Sequence, residues 1–487
     1  MDASPPDPTP ARRRFSIGGP LLRWEWLGLA ATGAVYILIV LAAVRRGAPL
    51  GWDESVYTLR ARDFATGADP RQYWDAFRAP GLPWLIHLLW WEGREATLGR
   101  LVASGFGLGL VATTWALTRH LFGRRAALLA AAGVAVTPPL VLAATQVWPD
   151  VPGACLGLAA IALFTLATGG DRPSWWMLAA VPAMGAATYL RFGAPLPMVI
   201  GLLGIAWWRR RSLWRFPWPA VATALGGAAA VVAVLKVPFL TGSGGAPLTA
   251  IASFPRSVGE GFGDYLGMAH QVIGPAAVIL AFAGLLAAFA WAGTSLDRGA
   301  LWTVTLIGFA TGVLLAVVLH GEVRYLAPAF PWLWVAGAPG LERLGGLLPG
   351  RWRILVAAGV SLALVAGVVG AALERNRDAS AAYRTTRRAA EEITALAAGS
   401  PCTVVTSRVP QVLWYSGCAT AAFDRDEVRF PEPPGRTVFM LLVGGFPRQP
   451  EGDLLEAYRE AAGDPVTVVE GGRRAEVYLI GEVAPAG

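Results

Sequence analysis

GWDESVYTLRARDF, residues 51–64, sets two adjacent carboxylates, Asp53 and Glu54, just behind a long apolar segment at 24–44. Charge at the mouth of a membrane helix is costly to place, so the pair is the first candidate for chemistry. Outward from it the chain repeats the same apolar theme. Of 487 residues, 55% are hydrophobic and 15% charged, against roughly 25% charged in soluble domains. Apolar stretches fall at 24–44, 98–118, 125–144, 151–168, 175–190, 192–208, 217–240, 271–292, 300–319, 325–341 and 353–373. The pattern predicts a polytopic α-helical membrane protein of about eleven spans.

Charge orients the set. Arg12, Arg13, Arg14 and Arg23 precede the first span, and Arg119, Arg124 and Arg125 follow the second. Arg209, Arg210, Arg211 and Arg215 follow the sixth, and Arg343, Arg351 and Arg353 the tenth. The positive-inside rule then places residues 1–23 in the cytoplasm as a basic tail and 24–373 in the membrane. Segments 46–97, 145–150, 241–270 and 320–324 and everything beyond 373 fall outside the cell membrane. The net +8 is uneven: residues 374–487 hold 13 Arg and 16 acids, a net −3, leaving +11 on the membrane part. That is the ordinary topogenic excess and gives no argument for a nucleic-acid partner.

Within 46–97, DESVYTLRARDFA reads as an amphipathic helix with Asp53, Tyr57 and Arg60 on one face. GLPWLIHLLWW is too short to span, and its Trp84, Trp90 and Trp91 suit a helix lying at the interface. Segment 241–270 is rich in Gly, Ser and Pro and reads as a mobile loop. Residues 374–487 form a different unit. An Arg/Glu-rich helix at 379–397 precedes strand-like CTVVTS, TVFMLLV, PVTVV and AEVYLI, with a helix EGDLLEAYREAA between the second and third, giving a small extracytoplasmic α/β domain. Cys402 and Cys418 lie in that domain and are expected to pair if its compartment is oxidising; the alternative is two buried thiols. Cys155 sits in an apolar helix.

Asp53 has two readings: an acid that favours a helix start, or a general base that takes a proton from an attacking hydroxyl. Neighbours on a helix diverge by about 100°, so Glu54 is not its equivalent. Asp150, in TQVWPDVPGA, either opens a helix or adds a second carboxylate on the same membrane face. Arg78, Arg191 and Arg324 lie on that face too. A single one would read as a snorkelling side chain, but three beside carboxylates suit a phosphate, which guanidinium forks bind bidentately. His320, Glu322 and Tyr325 flank Arg324, and the His reads as a hydrogen-bond partner. Four scattered His and three Cys make no zinc spacing.

The acidic pair in a WDE-S-x-Y setting, Arg78 and Pro80 before an apolar run, an acid opening the fourth span, RYLAPAFPW late in the chain and FGRRAALLAA after the second span together resemble the GT-C glycosyltransferases. The resemblance covers residues 20–345 and points toward the protein O-mannosyltransferases and the aminoarabinose transferases of lipid A. It implies a GT-C fold and a polyprenyl-phosphate-linked sugar, transferred with inversion on the external face to a protein, lipid or polysaccharide acceptor. By position it makes Asp53 the catalytic carboxylate and base with Glu54 beside it in the acidic motif, and Arg78, Arg191, Arg324 and Tyr325 the contacts to donor phosphate. Asp150, Tyr57 and His320 fall to acceptor or sugar contact. No cofactor is implied, and a divalent cation is left open. The chain departs from the family where it reads Ala79-Pro80-Gly81 instead of paired prolines, and Trp148-Pro149-Asp150 instead of Thr/Ser-Asp. The implied setting is the plasma membrane. The competing class is a transporter or flippase of a lipid-linked or anionic substrate, which would also use intramembrane charge and broken helices; a non-catalytic scaffold is the third.

Overall fold

The computed structural model describes residues 22–44, 49–67, 78–89, 91, 93–169, 173–236, 263, 265–272, 275–293, 296–318, 322–424, 426–431, 436–444, 449–470 and 473–482. A helix lies at each predicted span. In order the helices of six residues or more are α1 (Arg23–Ala43), α2 (Trp52–Thr66), α3 (Gly81–Leu88), α4 (Glu95–Phe122), α5 (Arg124–Ala135), α6 (Pro138–Ala144) and α7 (Asp150–Ala167). There follow α8 (Ala180–Leu190), α9 (Pro195–Trp208), α10 (Arg210–Arg215), α11 (Trp218–Lys236), α12 (Ala276–Ala290), α13 (Arg298–Val318), α14 (Phe330–Leu347) and α15 (Gly350–Ala397).

Six of these are long and apolar enough to cross a bilayer alone, namely α1, α4, α7, α11, α13 and the Gly350–Arg375 part of α15. The bent pair α5–α6 makes a seventh. The other predicted spans fall on helices such as α8, α9 and α12, of 11, 14 and 15 residues, shorter than the roughly 20 residues a full crossing takes. The stretch 175–190 is a 3-10 turn at Trp175–Ala179 followed by α8. The 60° bend between α5 and α6 has a local cause: Pro138 and Pro139 lack N–H groups and their rings crowd the preceding turn. Trp334 Nε1 of α14 donates to Thr137 Oγ1 at 2.8 Å and ties the bend to its neighbour.

Lipid offers no hydrophobic drive for helices to associate, so close approach of small residues carries the packing. On α14, a Cβ added at Gly337 would run into the carbonyl oxygen of Ala281 on α12. Several hydroxyls inside the bundle are satisfied along their own helices: Thr114 donates to Leu110 O and Thr165 to Ile161 O, which spares them a bare polar group in an apolar setting. The opposite relation holds on the outside. Only 6% of the apolar window of α15 is buried within the protein, so its side chains are left for lipid.

The 379–397 helix and the last span are not separate elements. They are one 48-residue helix, α15, which passes through the expected boundary at 374 and becomes part of the C-terminal unit. There, β1 (Cys402–Thr406), β2 (Ala419–Ala421), β3 (Thr437–Val443), β4 (Thr467–Glu470) and β5 (Arg474–Glu482) form one sheet in the order β2-β1-β3-β5-β4. β1 runs parallel to β2 and β3, while β5 is antiparallel to β3 and β4. All seven residues of β3 are buried, as expected of a central strand covered on both faces. Phe439, Leu441 and Val443 meet Ala389, Ala390 and Ile393 of α15. Met440 and Leu442 meet Tyr458 of α17 (Gly452–Ala462), the predicted helix. The four predicted strands are present; the short β2 and the helix α16 (Val409–Ser416) are additional. Cys402 and Cys418 are joined, their sulfurs 2.08 Å apart.

The C-terminal unit docks directly on the acidic helix. Val409 packs against Val56 and Trp52 of α2, Leu50 N donates to Tyr415 Oη at 2.7 Å, and the Arg62 guanidinium stacks on Trp414 at 5.2 Å.

Candidate active site

Four segments predicted to share one membrane face meet at one end of the bundle. From 46–97 come Asp53 and Arg78, from 145–150 Trp148 and Asp150, and from 320–324 Glu322 and Arg324. Most of 241–270 lies outside the described residues, as does His320, but Tyr265 is in place and donates from Oη to Glu322 O at 3.1 Å.

Asp53 sits in the first turn of α2, where the helix dipole favours an anion. Its two oxygens are taken by different cations. Arg78 Nη2 is 2.6 Å from Oδ1, and Arg324 Nη2 donates to Oδ2 at 2.5 Å. Burial alone would raise the carboxyl pKa, but the Arg78 and Arg324 guanidiniums outweigh it and hold the group down at about 2. In return, Asp53 more than offsets burial at both guanidiniums and keeps their proton affinity above the ordinary arginine value. Arg324 is further held by Glu322, Nε to Oε2 at 2.6 Å, and its guanidinium lies over Trp148 at 4.2 Å. Tyr57, on the Asp53 face of α2 as predicted, is covered by the Arg78 guanidinium at 5.6 Å. Arg60 Nη1 donates to Arg78 O at 2.7 Å and fixes the backbone there.

Glu54 points elsewhere and has a different environment. Its carboxylate accepts from Arg100 Nε at 2.9 Å and Nη2 at 3.0 Å, from Val147 N at 3.1 Å and from Gly51 N at 3.1 Å. With four donors around it and 4% exposure, it ties α2 to α4 and to the 145–150 segment. The geometry therefore makes it a positioning residue, separate from the Asp53 cluster. Arg100 was not marked by any local signal; it reads as one more charge at a helix start.

Asp150 opens α7 and pairs with Arg191, the residue that ends α8. Gly153, one turn into α7, leaves room for this: a Cβ there would stand 2.9 Å from Arg191 Cβ. The Arg191 guanidinium lies over Tyr325 at 5.2 Å, and Tyr325 Oη accepts from Arg324 Nη2 at 3.3 Å. A continuous polar line thus runs from Asp150 through Arg191, Tyr325 and Arg324 to Asp53 and Arg78. Beside Arg191 a crevice opens between helices, walled by Gly157 and Ile161 of α7, Met198 of α9, Leu315 of α13 and Trp332 of α14. Among the described residues, no three His, Cys, Asp or Glu side chains are grouped to hold a metal ion; the cations facing Asp53 are guanidiniums.

Known proteins are similar to this chain in part of its sequence and in its fold. Residues 78–236, which include Arg78, Asp150 and Arg191, match the family model described as dolichyl-phosphate-mannose-protein mannosyltransferase. No curated protein sequence matches the chain. Among solved structures, ArnT from Cupriavidus metallidurans in its apo state is similar over 95% of this chain and 99% of its own, with TM-score 0.66 and 17% identity. ArnT bound to undecaprenyl phosphate is similar over 96% and 100%, with TM-score 0.63 and 16% identity. The Archaeoglobus fulgidus oligosaccharyltransferase, in complex with Zn and sulfate, is similar over 81% of this chain and 62% of its own, with TM-score 0.55 and 15% identity. With these likenesses and its apolar helices, the chain is a multi-pass membrane protein with the fold of the GT-C glycosyltransferases.

Proposed function

We propose that this protein is an inverting glycosyltransferase that moves a sugar from a polyprenyl-phosphate donor to an acceptor hydroxyl on the extracytoplasmic face of the plasma membrane. One observation carries the reading: a carboxylate, Asp53, is clamped between Arg78 and Arg324 at the head of a cluster that leads past Arg191 into an apolar crevice. A phosphate on a long apolar chain suits both parts. Its oxygens fit the guanidinium forks, and its chain can stay in the lipid beside the apolar helices. ArnT bound to undecaprenyl phosphate, the similar structure above, supports this donor class.

The clamp also suggests how the base is switched on. Phosphate oxygens entering between Arg78 and Arg324 compete for the same donors, so Asp53 loses the interactions that depress its pKa and gains proton affinity. Asp53 then takes the acceptor hydroxyl proton as that oxygen bonds to the anomeric carbon. The bond from that carbon to the phosphate oxygen breaks, and its electron pair goes to the phosphate. Arg78, Arg324 and Arg191 stabilise the charge that develops there. A single displacement inverts the anomeric centre. Asp150, through Arg191, positions this array, and Tyr57 and His320 are assigned to the sugar or acceptor side. The lipid-linked sugar is a substrate, and the reaction as written uses no separate cofactor.

The test is reconstitution in lipid nanodiscs with a polyprenyl-phosphate sugar and mass analysis of candidate acceptors recovered from the source membranes. A covalent sugar adduct with inverted anomeric configuration is the expected result. Movement of unmodified lipid across proteoliposomes, with no adduct, would assign a flippase instead.

A further inference from the structure

We propose that Arg375, on the extension of α15 toward the C-terminal domain, is a further oxyanion-binding residue of this site, resting on the glycosyltransferase reading above. Its guanidinium lies over the Trp148 ring at 5.2 Å, and the same ring carries Arg324 at 4.2 Å. Trp148 is nearly buried at 8% exposure, so it is a fixed platform that brings two guanidiniums together. Their situations differ. Arg324 is engaged by Asp53 and Glu322. Arg375 is exposed, and among the described residues it forms no ion pair with a carboxylate.

Stacking on an indole uses the face of a guanidinium and leaves its N–H groups at the edge available. Those edge donors match a phosphate or carboxylate bidentately. The bland reading is a snorkelling arginine at the end of the last span, and two features count against it. Arg375 stacks on Trp148, a residue of the 145–150 segment next to Asp150. It also sits two turns before Tyr383, whose ring lies 3.5 Å from the place a Cβ on Gly51 would occupy. That places Arg375 on a wall shared by the long helix and the start of the acidic helix. The oxyanion has two sources: the donor's own phosphate, or an acidic group on the acceptor. Either explains why α15 continues without a break from the membrane into the C-terminal domain, because the helix then delivers a ligand as well as an anchor.

The test measures binding to nanodisc-embedded wild type, R375Q and R375K with three probes: undecaprenyl phosphate, undecaprenol and inorganic phosphate. Wild type is expected to prefer undecaprenyl phosphate to undecaprenol; no preference would overturn the phosphate-donor reading itself. Given that preference, R375Q is expected to lose about tenfold in affinity, equivalent to ~1.4 kcal/mol, while R375K keeps most of it. Loss toward undecaprenyl phosphate assigns Arg375 to the donor. Loss toward inorganic phosphate alone assigns it to a separate oxyanion, as an acidic acceptor would bring. Affinities of R375Q equal to wild type for both phosphates would overturn the proposal and leave a snorkelling side chain. Equal thermal midpoints of the three proteins guard against a folding effect.

Discussion

Arg324 donates from Nη2 to Asp53 Oδ2 at 2.5 Å across 271 positions of chain. The acidic helix α2 and a short turn beyond the ninth predicted span are thereby joined at one carboxylate. Arg78 completes the clamp from the other oxygen. Both oxygens of Asp53 are thus engaged by guanidiniums.

Asp53→Asn removes the proposed base but keeps the side chain's size. Transfer is expected to fall by about 10²–10⁴-fold, the usual range for a positioned general base, while binding of the lipid phosphate is unchanged or stronger because Arg78 and Arg324 are released. Steady-state transfer rates and donor affinity on the same preparation check both halves. Near-normal transfer by a well-folded D53N protein would falsify the mechanism.

The same carboxylate predicts a pH effect with a definite sign. Its folded pKa of about 2 lies below the ordinary 3.8. A depressed acid stabilises the fold above its unfolded pKa and loses that contribution as pH falls through the folded value, here between about pH 4 and pH 2. The shift corresponds to about 2 kcal/mol. Thermal midpoints in nanodiscs at about pH 5 and pH 2.5 should drop further for wild type than for D53N, which has no group to titrate there. Equal drops would place the acid sensitivity in other carboxylates.

Glu54 and Arg100 are expected to matter for folding first. Arg100→Ala leaves the buried Glu54 carboxylate without its cation, and removing one partner of a buried pair costs about 3–5 kcal/mol. The double variant E54Q/R100Q should recover part of that loss because no bare charge remains. A double-mutant cycle on thermal or denaturant stability measures the coupling. A loss below about 1 kcal/mol for R100A would be a surface-pair value and inconsistent with this tether.

The Cys402–Cys418 bridge closes a short loop of 16 positions, and loops of this length correspond to about 3 kcal/mol in the chain-entropy account. C402A/C418A is expected to lower the unfolding midpoint of the full chain and to loosen β1 and α16 first. Mass analysis under alkylating conditions should find Cys155 as the single reactive thiol after unfolding; three alkylated thiols would remove the bridge.

Much of this molecule was readable along the chain. Apolar runs and arginine clusters are one-dimensional signals, because a bilayer filters length and charge with little regard to partners. They located a helix for each expected span, the acidic helix at α2 and four strands of the C-terminal sheet. Site candidates came from the same source: counting spans assigned Asp53, Asp150, Arg78, Arg191 and Arg324 to one face, and the structure links the five in one cluster through Tyr325.

What the chain alone could not decide is who pairs with whom. Asp53 and Glu54 are neighbours in sequence with nearly the same chemistry, yet one meets two guanidiniums in the site and the other is locked to Arg100 and Val147 N. The difference comes from the turn of about 100° between adjacent helical residues and from which helices happen to stand on either side. Arg100, Trp148 and Arg375 carry no local mark, since a ring or a guanidinium acquires its role only from what packs against it. The unbroken α15 was likewise invisible as a unit, because its hydropathy changes at the membrane surface while its backbone hydrogen bonds do not. Sequence determined which segments are apolar enough to meet the membrane and which of its charges are candidates for one site. Tertiary structure decided, through helix orientation and close packing, which of those charges face one another.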